Sequence, residues 1–194
     1  MSDARGARRV WLALGANLGD RVANLRGGLD ALVAGGVAID AVSGVYDTPA
    51  WPAGEGEPRY ANIAASGETA LTPHALLRLA KQIEVATGRN LDAPRNSARP
   101  LDVDILAIEG ELLAAPDLEV PHVRMHERAF VLMPLLEVAP RFVHPRLGRT
   151  ASDLLSGLDR DDMAVIKTPG WWVAGELGAA APRCVSWLEP PPRP

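Results

Sequence analysis

The order of hydrophobic periods along this 194-residue chain predicts an α+β fold: a ferredoxin-like antiparallel sheet with helices packed on one of its faces. Three observations carry that expectation. The periods run strand, helix, strand, strand, helix, strand, which is the split β-α-β order. Each helical period opens on a side chain able to cap its first turn and ends at glycine. Apolar residues make up 47% and charged residues 23%, ordinary for a globular chain long enough to bury one real core.

Val10 to Gly15 reads as a short buried strand that stops at Gly15-Ala16-Asn17-Leu18-Gly19-Asp20. Asp20 suits a helix N-cap, and Val22, Leu25, Leu29, Leu32 and Val33 share one helical face before Gly35-Gly36 ends it. Val37 to Tyr46 is rich in β-branched residues and predicts a second strand. A Pro/Gly-rich loop from Thr48-Pro49 through Trp51 to Pro58 leads to a third, Tyr60 to Thr69. Thr72-Pro73 places a cap before a proline in the first turn, Leu76, Leu79, Ala80 and Ile83 form the stripe, and Gly88 closes that helix. Asn90 to Pro100 is a polar loop and Leu101 to Ile108 the fourth strand. Beyond Gly110 regularity fades. Val120-Pro121-His122 starts a turn, and short helices are expected at Phe130–Val138, around Pro134, and at Ala151–Leu158. From Asp159 no period remains.

Residues 1–158 are therefore expected to form the domain and 159–194 an extension. Trp171, Trp172 and Trp187 are too apolar for a solvated tail, so part of the extension should pack back, while the terminal proline run should be disordered. Net charge of −4 argues against a nucleic-acid binder. Arginines outnumber lysines 18 to 2, which reads as genome composition. Cys184 stands alone, so no intrachain disulfide is expected, and the polar stretch Met1 to Arg9 is followed by only about five apolar residues, too short for a signal peptide core or membrane span. The cytoplasm is the expected compartment.

The chemistry concentrates in Arg95-Asn96-Ser97-Ala98-Arg99-Pro100-Leu101-Asp102-Val103-Asp104-Ile105-Leu106. On a strand, residues i and i+2 share a face, so Asp102 and Asp104 project side by side about 6.6 Å apart along the backbone. Two carboxylates that close repel unless a cation lies between them or one is protonated. Their hard oxygens suit Mg²⁺, which takes one or two carboxylates and completes its shell with water and substrate phosphates. Arg95 and Arg99 offer positive forks to the same anion. Solvated acids on an edge strand are the bland alternative, a two-metal phosphodiesterase or nuclease a sharper one, and a nucleotide-binding module without turnover a third. Tyr60 and Asn62 likewise share a strand face, and Phe130 can approach from the far side.

Six ordered blocks then align with one family. Leu12-Ala13-Leu14-Gly15-Ala16-Asn17-Leu18, Tyr46-Asp47-Thr48-Pro49, Tyr60-Ala61-Asn62, Ile83-Glu84 with Gly88-Arg89, Arg95 to Leu106, and Val120-Pro121-His122 to Phe130-Val131-Leu132-Met133-Pro134-Leu135 resemble hydroxymethyl-dihydropterin pyrophosphokinase over roughly residues 10 to 158. The resemblance implies transfer of pyrophosphate from ATP to the hydroxymethyl group of a reduced pterin, releasing AMP, in folate biosynthesis. It implies two Mg²⁺ ions with the ATP, held by Asp102 and Asp104, and a catalytic set of these two with Arg89 and Arg99. Tyr60 and Phe130 match aromatics that sandwich the pterin, Asn62 the amide that bonds its edge, and Thr48, Pro49 and Trp51 the rest of that pocket. Glu84, Arg89, Arg99, His122 and Arg128 match positions lining the nucleotide site. ATP and a reduced pterin are then the expected partners, without nucleic acid or membrane, and a monomer suffices. Arg124 and His126 are read as surface residues, His74 and His144 as solvated or structural. The chain departs from the family's best-known members at Asn96, Ser97, Asp117 and Val123, all near the expected nucleotide grip.

Overall fold

Strand β1, Arg8–Ala16, is the sheet's centre because both of its edges are taken. β4, Tyr60–Thr69, pairs with it antiparallel from Arg8↔Thr69 to Ala16↔Ala61, and β5, Asp102–Ile108, pairs antiparallel on the other side. The free edge of β4 is shared by β2, Val37–Val42, and β3, Val45–Thr48, both antiparallel to it. With β2 and β3 counted as one interrupted strand, the order is fourth, first, third, second, a ferredoxin-like sheet. The computed structural model describes residues 6–51, 58–90 and 97–175. The expectations placed on Arg95, Asn96, Cys184, Trp187 and the terminal proline run lie outside those residues.

Helices α1, Arg21–Ala34, and α2, Pro73–Ala86, begin where their caps predict. The Asp20 carboxylate accepts from the Ala23 amide at 3.0 Å and the Thr72 hydroxyl from the Ala75 amide at 3.3 Å. Both helices press on one face, where Leu25, Leu29, Leu32, Leu76, Leu79 and Ile83 meet Val10, Leu12, Leu14, Ile63, Val103 and Ile105. Each such buried aliphatic side chain contributes about 1.5–3 kcal/mol.

The single helical face expected from the sequence holds only for these two helices. α3, Ala129–Val138, and α4, Ala151–Leu155, cover the opposite face, where Leu132, Leu135, Phe142 and Leu154 pack with Ala64, Leu106, Trp11 and Ala13. α4 is capped by the Thr150 hydroxyl, which accepts from Asp153 N at 3.0 Å, and ends three residues before the expected Leu158. Pro134 sits inside α3, as expected.

The predicted strand from Val37 to Tyr46 is broken at Ser43-Gly44. Ser43 still bonds Ala64 in both directions through its amide and its hydroxyl, whereas the Gly44 amide turns to the Glu137 carboxylate of α3 at 2.7 Å. A Cβ on Gly44 would lie 2.7 Å from the carbonyl oxygen of Lys167, so only glycine lets that backbone close in. The intruding segment was read as aperiodic. It holds a strand, β8 (Ala164–Lys167), antiparallel to β3, and Trp172 beyond it is part of the core. A two-stranded ribbon, β6 (Leu113–Ala114) with β7 (Glu119–Val120), was also not anticipated. Among the described residues no helix is long and apolar enough to cross a membrane.

Candidate active site

The face covered by α3 and α4 is left open at one end, and the cleft there holds about 430 Å³. Strand register builds its floor. Gly15 of β1 lies opposite both Asp102 of β5 and Asn62 of β4, and Asn62 lies opposite Tyr46 of β3. One rung further in, Ala13 lies between Asp104 and Ala64. Residues directly opposed across strands share a face. The acid pair and Asn62 therefore stand on one surface, separated only by Gly15 and Ala13. A Cβ on Gly15 would sit 2.8 Å from Asn62 Oδ1, so the floor is as low there as a chain allows.

At the β5 end the side chains are charged. Asp102 accepts from Arg89 Nη1 at 2.9 Å and from Arg99 Nη1 at 3.1 Å. Asp104 lies 3.7 Å from Arg128 Nη1. Burial alone would raise the Asp102 carboxyl, but Arg99, Lys81 and Arg89 outweigh it and hold it below the usual carboxylate range. Asp104 is the reverse case: burial and the neighbouring Asp102 charge push it up to about 6. The two aspartates are thus held unequally, Asp102 ionised by its cations and Asp104 resisting ionisation through burial.

Behind them Glu84 of α2 is 0% exposed and outside the cleft lining. Its carboxylate accepts from the Val103 amide between the two aspartates at 2.9 Å, from Lys81 Nζ at 2.9 Å and from Arg89. It thereby fixes both the backbone of the acid pair and the Arg89 fork. Asn17, just past β1, does the same for the arginine loop: Oδ1 accepts from the Arg99 amide at 2.6 Å. His122 Nδ1 accepts from the Arg124 amide at 3.2 Å, and burial followed by the Arg128 charge pushes the ring down to about 4. It is therefore a neutral imidazole with its proton on Nε2, 3.9 Å from Asp104 Oδ2.

At the β4 and β3 end the cleft is lined by Thr48, Pro49, Trp51, Tyr60, Asn62 and Phe130. The Asn62 amide donates to the Thr48 hydroxyl at 2.8 Å, which leaves its oxygen toward Gly15. Phe130 enters from the first turn of α3, its ring 6.4 Å from that of Trp51. Arg124, expected at the surface, lies with its guanidinium 4.0 Å above the Trp51 ring.

Twelve of the thirteen residues singled out from the sequence line this one cleft; Glu84 supports it from below. Lys81, Ala13, Gly15, Ala50 and Val131 line it as well and were not singled out. Lys81 had one signal, being one of two lysines in a chain that otherwise uses arginine. Asp117 faces His74 at 3.5 Å and Val123 is exposed, neither lining the cleft. His126 stacks edge-on with His144, and His144 Nδ1 accepts from the Arg146 and Leu147 amides, a structural turn.

The donor set fits a hard divalent cation. Among the described residues no three His, Cys, Asp or Glu side chains cluster to hold a metal unaided, so the protein offers two carboxylates and the remaining positions fall to phosphate and water. Arg128, which lines the cleft, keeps a buried Nε with no partner among the described residues, a donor free for an anion.

The model for the family described as 7,8-dihydro-6-hydroxymethylpterin-pyrophosphokinase matches residues 11–140. A 2-amino-4-hydroxy-6-hydroxymethyldihydropteridine pyrophosphokinase of Methylorubrum extorquens is 40% identical over 152 residues, 78% of this chain and 94% of that protein. The folic acid synthesis protein FOL1 of Dictyostelium discoideum is 39% identical over 147 residues, 76% of this chain but only 22% of its own length. Among solved structures, a Plasmodium falciparum HPPK-DHPS chain superposes with a TM-score of 0.63 at 14% identity, over 80% of this chain and 46% of that one, a likeness of fold.

Proposed function

The chain belongs to the 7,8-dihydro-6-hydroxymethylpterin-pyrophosphokinase family, and we propose that the cleft on the α3 face is where it transfers pyrophosphate from ATP to the hydroxymethyl group of the reduced pterin, in folate synthesis. One observation carries the assignment of its two ends: the register that sets the acid pair and the Asn62 amide on one floor with only Gly15 and Ala13 between them. A flat heterocycle fits between Tyr60 and Phe130, its edge bonded by Asn62 and by backbone near Thr48, since an amide offers both donor and acceptor. The triphosphate then lies toward Asp102 and Asp104, within reach of Arg89, Arg99, Arg128, Lys81 and the Nε2 proton of His122.

The reaction forms a bond from the pterin hydroxyl oxygen to the β-phosphorus and breaks the bond from that phosphorus to the oxygen shared with the α-phosphate. AMP leaves and the hydroxyl proton is lost. Little covalent chemistry falls to the protein, whose side chains align the two reactants and neutralise charge. Asp102 and Asp104 would hold Mg²⁺, two ions with ATP, which supply neutralisation of the phosphate oxygens. Arg89 and Arg99 are locked on Asp102 before substrate arrives, and Glu84 acts as a positioning group beneath them. No side chain is assigned as an obligatory base, and the neutral His122 serves as a donor.

We take a monomer in the cytoplasm as the working unit. We place the catalytic unit within residues 1–158 and take 159–194 as an extension to it. The deciding experiment supplies ATP, Mg²⁺ and hydroxymethyl dihydropterin and identifies the nucleotide product. AMP formed only when pterin is present is expected; ADP would mean a simple kinase, and no turnover a binding module.

A further inference from the structure

After α4 the chain crosses to the outer edge of the sheet and runs along β3, through residues that the family match does not reach. Two tryptophans anchor it. Trp172 is 8% exposed in the core and donates through Nε1 to Asp30 Oδ1 at 2.9 Å. Trp171 donates through Nε1 to the Ser43 carbonyl at 2.8 Å, and its own carbonyl accepts from Arg26 at 2.6 Å. β8 itself is exposed along its whole length, so it adds almost nothing to the core. What it adds is a paired edge for β3, with Ala164 opposite Asp47 and Val165 opposite Tyr46. The next residue of β3 is Thr48, the partner of the Asn62 amide.

A second fastening lies beside this one. Arg59 bonds the carboxylate of Asp47, and its carbonyl at 3.2 Å, with one side of its guanidinium. The other side bonds the carboxylate and the carbonyl of Asp162, each at 2.9 Å. Arg21 closes the group, donating to Asp47 Oδ1 at 2.6 Å and to the Arg59 carbonyl at 3.0 Å. Asp47 and Arg59 are the residues immediately before Thr48 and Tyr60, so these bonds staple the base of the loop that carries Pro49 and Trp51.

The geometry points to Asp162 as a positioning residue for the pterin end of the cleft: acting through Arg59 and Asp47, the C-terminal strap holds Thr48 and Tyr60 at the spacing the heterocycle requires. This rests on the assignment of that end to the pterin under the proposed function. An anchor made only for stability would need Trp172 but not a salt link aimed at the base of a substrate loop.

The test measures KM for pterin, KM for ATP, kcat and Tm in the full-length protein. Asp162→Ala keeps the backbone bond to Arg59 and removes a half-exposed ion pair, so the pterin KM is expected to rise about threefold. ATP KM and kcat stay put. Arg59→Ala, which removes both arms, should raise the pterin KM roughly tenfold. The double variant should be no worse than Arg59→Ala, and Asp162→Glu should restore most of the affinity. Trp172→Ala is the counter-case, with a lower Tm and an unchanged pterin KM at temperatures where the protein is folded. An Asp162→Ala protein with reduced Tm and unaltered pterin KM overturns the inference and leaves the strap a structural brace. A wild-type protein that forms no AMP is a different failure: it removes the proposed function and this inference with it.

Discussion

The two ends of the cleft stand on the same rungs of the sheet yet are held in opposite ways. At the acid end the charged groups around Asp102 are already engaged. Glu84 fastens Arg89, Lys81 and the Val103 amide, Arg89 and Arg99 converge on Asp102, and Asn17 pins the backbone of Arg99. At the end proposed for the pterin the neutral bond from Asn62 to Thr48 joins two strands, and the rings of Trp51 and Phe130 stand beside it. The difference follows from what burial demands. A buried charge without a partner costs several kcal/mol, so the end proposed to bind phosphate needs most of its charges paired within the protein. An aromatic slot carries no such debt and needs only correct spacing.

Breaking the wiring should therefore be felt most at its buried node. Glu84→Ala leaves the Val103 amide without its acceptor and Arg89 with Asp102 alone, and removing one partner of a buried pair costs about 3–5 kcal/mol. A Tm loss of many degrees, with turnover falling alongside, is expected in a calorimetric and kinetic comparison. A variant as stable as the parent would show that the acid end is not held from below.

Asp102→Ala and Asp104→Ala should separate chemistry from folding. Turnover is expected to drop roughly 10²–10³-fold, the range for losing a group that stabilises transition-state charge, with an unchanged circular dichroism spectrum. Near-normal AMP formation by either variant would remove the pair from the mechanism.

At the other end the losses should be smaller and confined to one substrate. Phe130→Ala and Asn62→Ala are expected to weaken pterin binding about five- to tenfold, from an aromatic contact of roughly 0.5–1.5 kcal/mol and an unpaired edge group. ATP affinity should be spared. Titration calorimetry with each ligand separately checks this, and a loss of nucleotide affinity instead would invert the two ends.

The smallest effect tests the shared floor. Gly15→Ala puts a methyl 2.8 Å from Asn62 Oδ1, so the amide has to shift. A loss of about 1 kcal/mol in pterin affinity, with stability nearly intact, is the expected result. If ATP binding falls equally, the floor serves both ends and the contrast between them is less sharp than the geometry suggests.

Much of this was legible in the chain. The Asp20 and Thr72 caps, the stripes of α1 and α2, and the shared faces of Asp102 with Asp104 and of Tyr60 with Asn62 are local, because caps and periods depend on residues within a turn or two. The ferredoxin-like order followed from the same periods. Twelve of the thirteen residues expected at the site do meet in one cleft, for the ordered blocks around them marked where to look.

What the tertiary structure alone decided is how those faces combine. A strand's period says which of its residues point together, but not toward which neighbour; only the register across β5, β1, β4 and β3 sets Asp102, Gly15, Asn62 and Tyr46 in one row. The resemblance matched Glu84 to a lining position of the nucleotide site, and the structure makes it a buried node instead because Arg89 and Val103 reach it. The break at Gly44 and the strand at Ala164–Lys167 stayed hidden for the same reason. A short exposed edge strand needs no hydrophobic alternation, since the partner strand supplies its order through backbone bonds that any sequence can make.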